Sequence, residues 1–111
     1  MGIFRLYTGD DGQSHIEEQT LGSQPTLTAP QAAAHILFRE LPQGTFMDWH
    51  PAPRRQYVIL LAGQLEIGLG DGTVRRFGPG NAILASDITG QGHTTRVVGN
   101  EPAMTAVVPL A

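Results

Sequence analysis

The stretch that decides the fold is GTFMDWHPAPRRQYVILLAG, residues 44–63, which begins and ends with glycine. A single histidine, His50, is followed by two prolines and two arginines, and a short apolar run begins after Gln56. Prolines suit a strand end and a turn, whereas short runs of apolar and β-branched residues are typical of strands. The stretch therefore predicts two strands joined by a turn that carries Arg54 and Arg55.

The chain from Tyr57 onward repeats this pattern of short runs and turns. Runs rich in Val, Ile, Leu and Thr alternate with Gly, Asp, Asn or Pro. In QLEIGLGDGT, residues 64–73, the apolar residues alternate onto one face, and Asp71-Gly72 favours a type I′ hairpin turn. Several short strands at this spacing predict an all-β sandwich or barrel.

The composition limits the chemistry. A chain of 111 residues is long enough for one domain, and its net charge of −3 disfavours binding to nucleic acid or to anionic membranes. The sequence has no Cys and no Lys, which excludes thiolate nucleophiles and Schiff-base chemistry on this chain. Because it also lacks the apolar segment of a signal peptide or a transmembrane helix, we expect a cytoplasmic protein.

The first third of the chain is less clearly patterned. Residues 1–30 are expected to form an N-terminal arm that packs on a barrel made by residues 31–111. In TLTAPQAAAHILFREL, residues 26–41, Thr28 suits a helix N-cap and good helix formers follow Pro30. The later half alternates as a strand does, so both a helix and a strand remain open there.

The spacing within residues 44–63 resembles the first motif of the cupin superfamily, G-x5-H-x-H-x3–4-E-x6-G. Gly44, His50 and Gly63 stand at motif positions, whereas Ala52 replaces the second His and Gln56 replaces the Glu. The resemblance implies an all-β, single-domain cupin β-barrel, also called a double-stranded β-helix or jelly roll. Relatives on this fold carry out isomerisation, decarboxylation and metal-assisted oxygen chemistry, and the fold does not select among them.

A second stretch, GPGNAILASDITGQGHTTRVVG at residues 78–99, resembles the second cupin motif. Gly80 stands at the turn position and His93 at the position of the further His ligand. The stretch departs from the motif at Ser86, where Pro is usual.

Strand alternation then predicts which side chains converge. We expect four residues of the first strand to face the barrel interior, and two residues that alternate with them to face outward. The inward residues are Phe46, Asp48, His50 and Ala52, and the outward residues are Met47 and Trp49. The predicted ligand pocket is lined by His50, Gln56, His93, Asp48, Arg54 and Arg55.

The resemblance also implies a metal site with a reduced set of ligands. His50, Gln56 and His93 are candidate ligands of a divalent metal such as Zn, Ni, Mn or Fe. Binding would be weak because the Gln amide is neutral and lies outside the usual zinc ligands. His15 could contribute if the arm folds over the barrel mouth.

Two functions remain open from the sequence. One is a cupin whose pocket acts on a small polar or anionic metabolite, with His50 and His93 as metal ligands or as acid and base. The other is a metal-free module that binds a ligand or dimerises without catalysis. The outward positions of Met47 and Trp49 also predict a homodimer.

Overall fold

The structure, a computed structural model, describes residues 2–111, so Met1, the first residue of the predicted arm, lies outside the described residues. The strands are β1 (Ile3–Thr8), β2 (Ser14–Gln19), β3 (Leu37–Leu41), β4 (Phe46–His50), β5 (Gln56–Ala62), β6 (Gln64–Gly68), β7 (Val74–Phe77), β8 (Ala82–Ala85), β9 (His93–Val98) and β10 (Ala103–Pro109). A 3₁₀ turn at Leu21–Ser23 and a short helix, α1 (Pro25–Thr28), lie between β2 and β3. None of the described helices is long and apolar enough to cross a membrane.

The strands form two sheets, which confirms the predicted all-β fold. The larger sheet has six strands in the order β2-β1-β8-β5-β10-β3, and the smaller has four in the order β4-β9-β6-β7. Neighbouring strands are antiparallel except β1 and β8, which run parallel. β3 is an edge strand of the larger sheet, and β4, which ends at His50, is an edge strand of the smaller sheet.

The residues predicted to form an arm contribute two strands to the larger sheet. β1 lies between β2 and β8, and its side chains Phe4 and Leu6 belong to the hydrophobic core. The alternation of these apolar residues in β1 explains the placement, because one face of the strand must be buried. The barrel wall therefore begins at Ile3, and residues 20–30 are the part of the predicted arm that follows the two strands.

The segment that suited both a helix and a strand contains one of each. Helix α1 ends at Thr28, which is thus the last helical residue and not the N-cap. Ala29 is extended, with φ −92° and ψ 152°, as is expected for a residue that precedes proline. The strand interpretation holds for the later half, since residues 37–41 form β3 and pair with β10.

The hydrophobic core fills part of the space between the sheets. Phe4 and Phe77 pack edge to face, with ring centroids 5.0 Å apart. The buried cluster comprises Phe4, Leu6, Leu60, Leu65, Ile67, Phe77, Ile83, Val97 and Ala103. Each large apolar side chain stabilises the fold by about 1.5–3 kcal/mol when fully buried. The core thereby holds the two sheets face to face and leaves a cavity beside it.

The predicted hairpin turn at Asp71-Gly72 connects β6 and β7, but its type differs. Only Gly72 has a positive φ, +89°, and Asp71 does not, so the turn is not type I′, which needs positive φ at both central residues. The Asp71 carboxylate instead accepts hydrogen bonds from the hydroxyl and the N–H of Thr73. These bonds lower the pKa of Asp71 below its ordinary value.

Candidate functional site

A cavity of about 200 Å³ lies between the two sheets. Its walls are mostly apolar, and six lining residues carry polar side chains: Arg39, His50, Gln56, His93, Thr95 and Thr105. Among the lining residues, Arg39 and Pro53 are exposed, and they mark the opening near the edge strands β3 and β4. Apolar walls with a few convergent polar groups are typical of small-molecule sites.

The centre of the site is a pair of histidines on neighbouring strands. His50 at the end of β4 is the direct cross-strand partner of His93 at the start of β9. Directly opposed residues of an antiparallel pair project to the same face, and the two ring centroids are 4.6 Å apart. Both residues line the cavity, His93 being 6% exposed and His50 half-buried.

The hydrogen bonds of the two rings leave the same nitrogen free on each. His50 Nδ1 lies 2.6 Å from the backbone oxygen of Asp48, and His93 Nδ1 lies 2.6 Å from Oδ2 of Asp87. A carbonyl oxygen and a carboxylate oxygen both accept, so Nδ1 carries the proton on each ring. In the neutral form of each imidazole, Nε2 is therefore the unprotonated nitrogen, able to accept a hydrogen bond or a proton.

Asp87 and Ser14 are site residues that sequence analysis did not identify. Asp87 is fully buried, and its Oδ2 also accepts a hydrogen bond of 2.6 Å from the hydroxyl of Ser14. Its other carboxylate oxygen, Oδ1, is buried without a hydrogen-bond partner in the described part of the chain. The signal available in the sequence was that Asp87 is the only acidic residue between Gly80 and His93. Asp87 orients His93 much as a carboxylate orients the histidine of an acid–base pair.

The arm segment reaches the site through Ser14 and not through His15. Ser14 and His15 are adjacent in β2, so their side chains project to opposite faces. His15 does not line the cavity; its Nε2 lies 3.1 Å from Oδ1 of Asp11 on the surface. The pKa of Asp11 is lowered, mainly by a hydrogen bond from the backbone N–H of Gln13 and to a smaller extent by the hydrogen bond with His15.

A β-bulge in β4 changes which residues face the cavity. Met47 pairs with Thr95 and His50 with His93, so three residue steps on β4 match two on β9. The extra residue places Met47 and His50 on the same face, although strict alternation would separate them. Met47 therefore lines the cavity, which corrects its predicted outward position.

The same bulge moves two predicted inward residues to the outside. Phe46 and Asp48 are exposed and do not line the cavity. The Phe46 ring packs under the guanidinium of Arg96, 4.4 Å from the ring centroid. The Asp48 carboxylate accepts a hydrogen bond from the backbone N–H of Trp49, so Asp48 acts on the site only through its carbonyl oxygen.

Gly92 allows the two histidine-bearing strands to approach each other. It has φ +80°, and a Cβ added there would overlap the backbone of His50 and Pro51. Glycine alone combines a relaxed backbone at positive φ with the absence of a side chain. The residue just before His93 is thus required for the close contact between β9 and the end of β4.

Three buried polar side chains face the cavity without a protein partner. Gln56 is 9% exposed, Thr95 7% and Thr105 1%, and all three line the cavity. Among residues 2–111, no hydrogen bond joins their side-chain polar atoms to another residue. Their polar atoms border the cavity, where they are available to hydrogen-bond water or a polar ligand.

Several solved structures are similar to this chain, among them the following three. The cupin domain of Cnp3 from Schizosaccharomyces pombe has a TM-score of 0.55 over 87% of this chain and 74% of that chain, at 14% identity. The chain has a cupin fold. A predicted oxalate decarboxylase from Thermotoga maritima has a TM-score of 0.53 over 99% of this chain and 94% of that chain, also at 14% identity.

The third similar structure is a conserved protein of unknown function from Streptococcus pyogenes. It is 24% identical, with a TM-score of 0.50, over 68% of this chain, and the chain spans 64% of that protein's length. No family model and no curated protein matches the sequence. At these identities the likeness concerns the cupin fold and not the activity.

The cupin barrel brings together half of the residues predicted to line the pocket. His50, Gln56 and His93 all line the cavity. Arg54 and Arg55 do not; both are exposed on the turn between β4 and β5. The cavity arginine is Arg39, which the sequence did not single out.

The residues present do not fit the four-ligand metal centre that the complete cupin motif would provide at this position. Ala52, at the second His position, is buried and lines the cavity but carries no donor atom. Gln56, at the Glu position, offers only a neutral amide oxygen, which is a poor ligand for zinc. In the chain from residue 2 to residue 111, no group of three or more His, Cys, Asp or Glu is placed to hold a metal ion.

Proposed function

We propose that this cupin binds a small polar or anionic molecule in the cavity, and that His50 and His93 contact it through Nε2. The observation that carries the proposal is the histidine pair itself. Each Nδ1 is engaged by the protein, and each ring lines the cavity, so Nε2 is the nitrogen available to a ligand. Such pre-orientation lowers the entropic cost of binding.

The size and lining of the cavity limit the ligand. A volume of about 200 Å³ is below the roughly 300–1,000 Å³ of sites for drug-sized molecules, so the ligand is a small metabolite. Its polar atoms would meet Gln56 and the two threonines, whose hydrogen-bonding capacity is unused within the described chain. Its apolar part would lie against the remaining aliphatic wall.

The buried acid supplies the chemistry that goes with binding. Asp87 holds His93 in the tautomer that presents an unprotonated Nε2. A ligand with an acidic C–H or O–H beside that atom would lose its proton to the imidazole, and the neighbouring carboxylate would stabilise the imidazolium that forms. Proton transfer without a metal is thus within reach of this site.

Divalent metal binding by His50, Gln56 and His93 remains a prediction. In both histidines Nδ1 is hydrogen-bonded to an oxygen atom, which leaves Nε2 free, and metal-ligating histidines adopt the same arrangement. With only two imidazoles and one amide, the site would bind such an ion weakly.

The four histidines provide a test with internal controls. We would follow the imidazole NMR signals of the protein in EDTA while adding benzoate, benzamide or butanoate. We expect the signals of His50 and His93 to shift, and those of His15 and His35, which do not line the cavity, to remain in place. His93→Ala should weaken binding at least about tenfold, whereas His35→Ala, an exposed matched control, should not.

The outcomes separate the two candidate functions. If no probe shifts His50 and His93 more than the two control histidines, the cavity is not a ligand site and the proposal fails. Repeating the titration with Zn²⁺ or Mn²⁺ in place of EDTA tests the metal prediction. Shifts confined to His50 and His93 at stoichiometric ion would support it, and ligand binding only in the presence of the ion would replace the metal-free proposal.

A further inference from the structure

The charged group of the cavity is Arg39 on the edge strand β3. Alternation along β3 puts Leu37, Arg39 and Leu41 on one face, and both Arg39 and Leu41 line the cavity. Arg39 takes part in none of the ion pairs found among the described residues. An arginine that faces a cavity without a protein carboxylate is available to an anionic ligand.

Thr105 lies directly beside Arg39 and adds a second donor. The two residues are cross-strand partners in the antiparallel pair of β3 and β10, so their side chains project to the same face with Cβ atoms about 5 Å apart. Thr105 is 1% exposed, and its hydroxyl has no protein partner in the described part of the chain. A threonine hydroxyl that borders the cavity, next to a guanidinium outside the ion pairs of the described residues, makes a polar subsite.

This subsite lies at a distance from the histidine pair. Thr105 is opposite Leu60, and Pro109 is opposite Gln56, so four residues, or about 13 Å of backbone at about 3.3 Å per residue, separate the two ends of the wall. The side chains of Arg39, His50 and His93 line the cavity between these backbone positions, so the space between their polar groups is shorter. Gln56 is opposite Ala85, two residues before Asp87, which places it at the histidine end. The wall between the ends is aliphatic and includes Val58, Ile67, Ile83 and Val107.

We propose that the ligand of this cavity is a small monocarboxylic acid, with its carboxylate held by Arg39 and Thr105 and its other end at the histidine pair. The guanidinium and the hydroxyl match the two oxygens of one carboxylate. A phosphate dianion has three oxygens and twice the charge, and the lining offers no second permanent cation for it. The aliphatic wall fits the body of the acid.

This inference rests on the proposed function and names the class of its ligand. The test compares benzoate, benzamide and phenylphosphonate, which share a ring and differ in the polar group. Affinities are measured by titrating each probe while following the imidazole signals of His50 and His93. Wild-type protein should bind benzoate at least about tenfold more tightly than benzamide, because a charge-assisted hydrogen bond contributes at least that much.

The matched variants are Arg39→Gln and Arg54→Gln. Arg39→Gln should abolish the preference for benzoate by weakening benzoate binding more than benzamide binding, and Arg54→Gln, at an exposed arginine outside the cavity, should keep the preference. Equal binding of benzoate and benzamide to wild-type protein would overturn the carboxylate subsite and leave the ligand cavity intact. Tighter binding of phenylphosphonate would overturn the ligand class, and the absence of any shift at the two histidines would overturn the inference and the proposed function together.

Discussion

Asp87 shows how one residue organises the site. It accepts from both Ser14 and His93 with the same oxygen, and it is fully buried. The cost of burying an acid is offset in part by these two hydrogen bonds, one of which comes from the imidazole of His93, while Oδ1 has no partner among the described residues. The orientation of His93, and hence the availability of its Nε2, depends on this single side chain.

Replacing Asp87 by Ala should destabilise the protein markedly. The change leaves the Ser14 hydroxyl and His93 Nδ1 without their acceptor in a buried place, so we expect a loss of about 2–4 kcal/mol in the free energy of unfolding. Urea denaturation measures it. Asp48→Ala is the matched control, because its carboxylate is exposed and its backbone oxygen, which holds His50, is retained; it should cost less than about 0.5 kcal/mol. Equal losses in the two variants would contradict the role of Asp87.

At the scale of elements, the bulge in β4 and the close approach of β9 create the histidine pair. The bulge lets Met47 and His50 share the cavity face. Gly92 lets the start of β9 pass against the backbone at His50. Neither feature comes from the local propensity of its strand, since each depends on the partner strand.

Gly92→Ala should therefore destabilise the protein more than Gly72→Ala, because Gly72 has no neighbouring atoms within 4 Å of an added Cβ. Both Gly92 and Gly72 have positive φ, +80° and +89°, but an added Cβ meets the backbone only at Gly92. We expect about 1 kcal/mol of destabilisation for Gly72→Ala and at least about 2 kcal/mol more for Gly92→Ala. Urea denaturation compares the two. The imidazole signals of His50 should shift only in the Gly92 variant, and similar losses in both variants would show that φ alone matters at these positions.

At the scale of the whole molecule, the exposed apolar residues near β3 support the predicted homodimer. The prediction relied on Met47 and Trp49, but Met47 faces the cavity, whereas Trp49 is 43% exposed. Ile36 and Phe38 are 58% and 68% exposed, and β3 is an edge strand of the larger sheet. Edge strands with exposed apolar side chains tend to pair with another chain, and a second copy of β3 is the partner we propose.

Light scattering tests the homodimer. We expect a molar mass of about twice the monomer mass of 11.9 kDa for the wild-type protein. Phe38→Glu should shift the protein towards the monomer, because a charge replaces an apolar side chain at the interface. Val74→Glu is the control, since Val74 is 57% exposed on the edge strand of the smaller sheet. A wild-type monomer at high concentration would refute the homodimer, and equal effects of the two substitutions would place the interface away from β3.

The sequence by itself determined the strand pattern, the cupin frame and three of the site residues, His50, Gln56 and His93. Short apolar runs bounded by turn residues specify strands locally, and the spacing from Gly44 to Gly63 placed His50 and Gln56 near the ends of β4 and β5. These features depend on neighbours in the chain. The motif spacing also showed from the sequence that Ala52 replaces the second His and supplies no metal ligand.

The tertiary structure alone decided which further side chains join them. Asp87 and Ser14 meet although they are 73 residues apart, and Arg39 lies at the cavity in a strand that pairs with β10, where Thr105 is its partner. The side chain of Met47 faces the cavity because of a β-bulge, and regular alternation along a single strand does not predict a bulge. Cross-strand register, sheet order and burial are long-range properties, so the composition of the site beyond its histidines and glutamine depends on how distant strands pack.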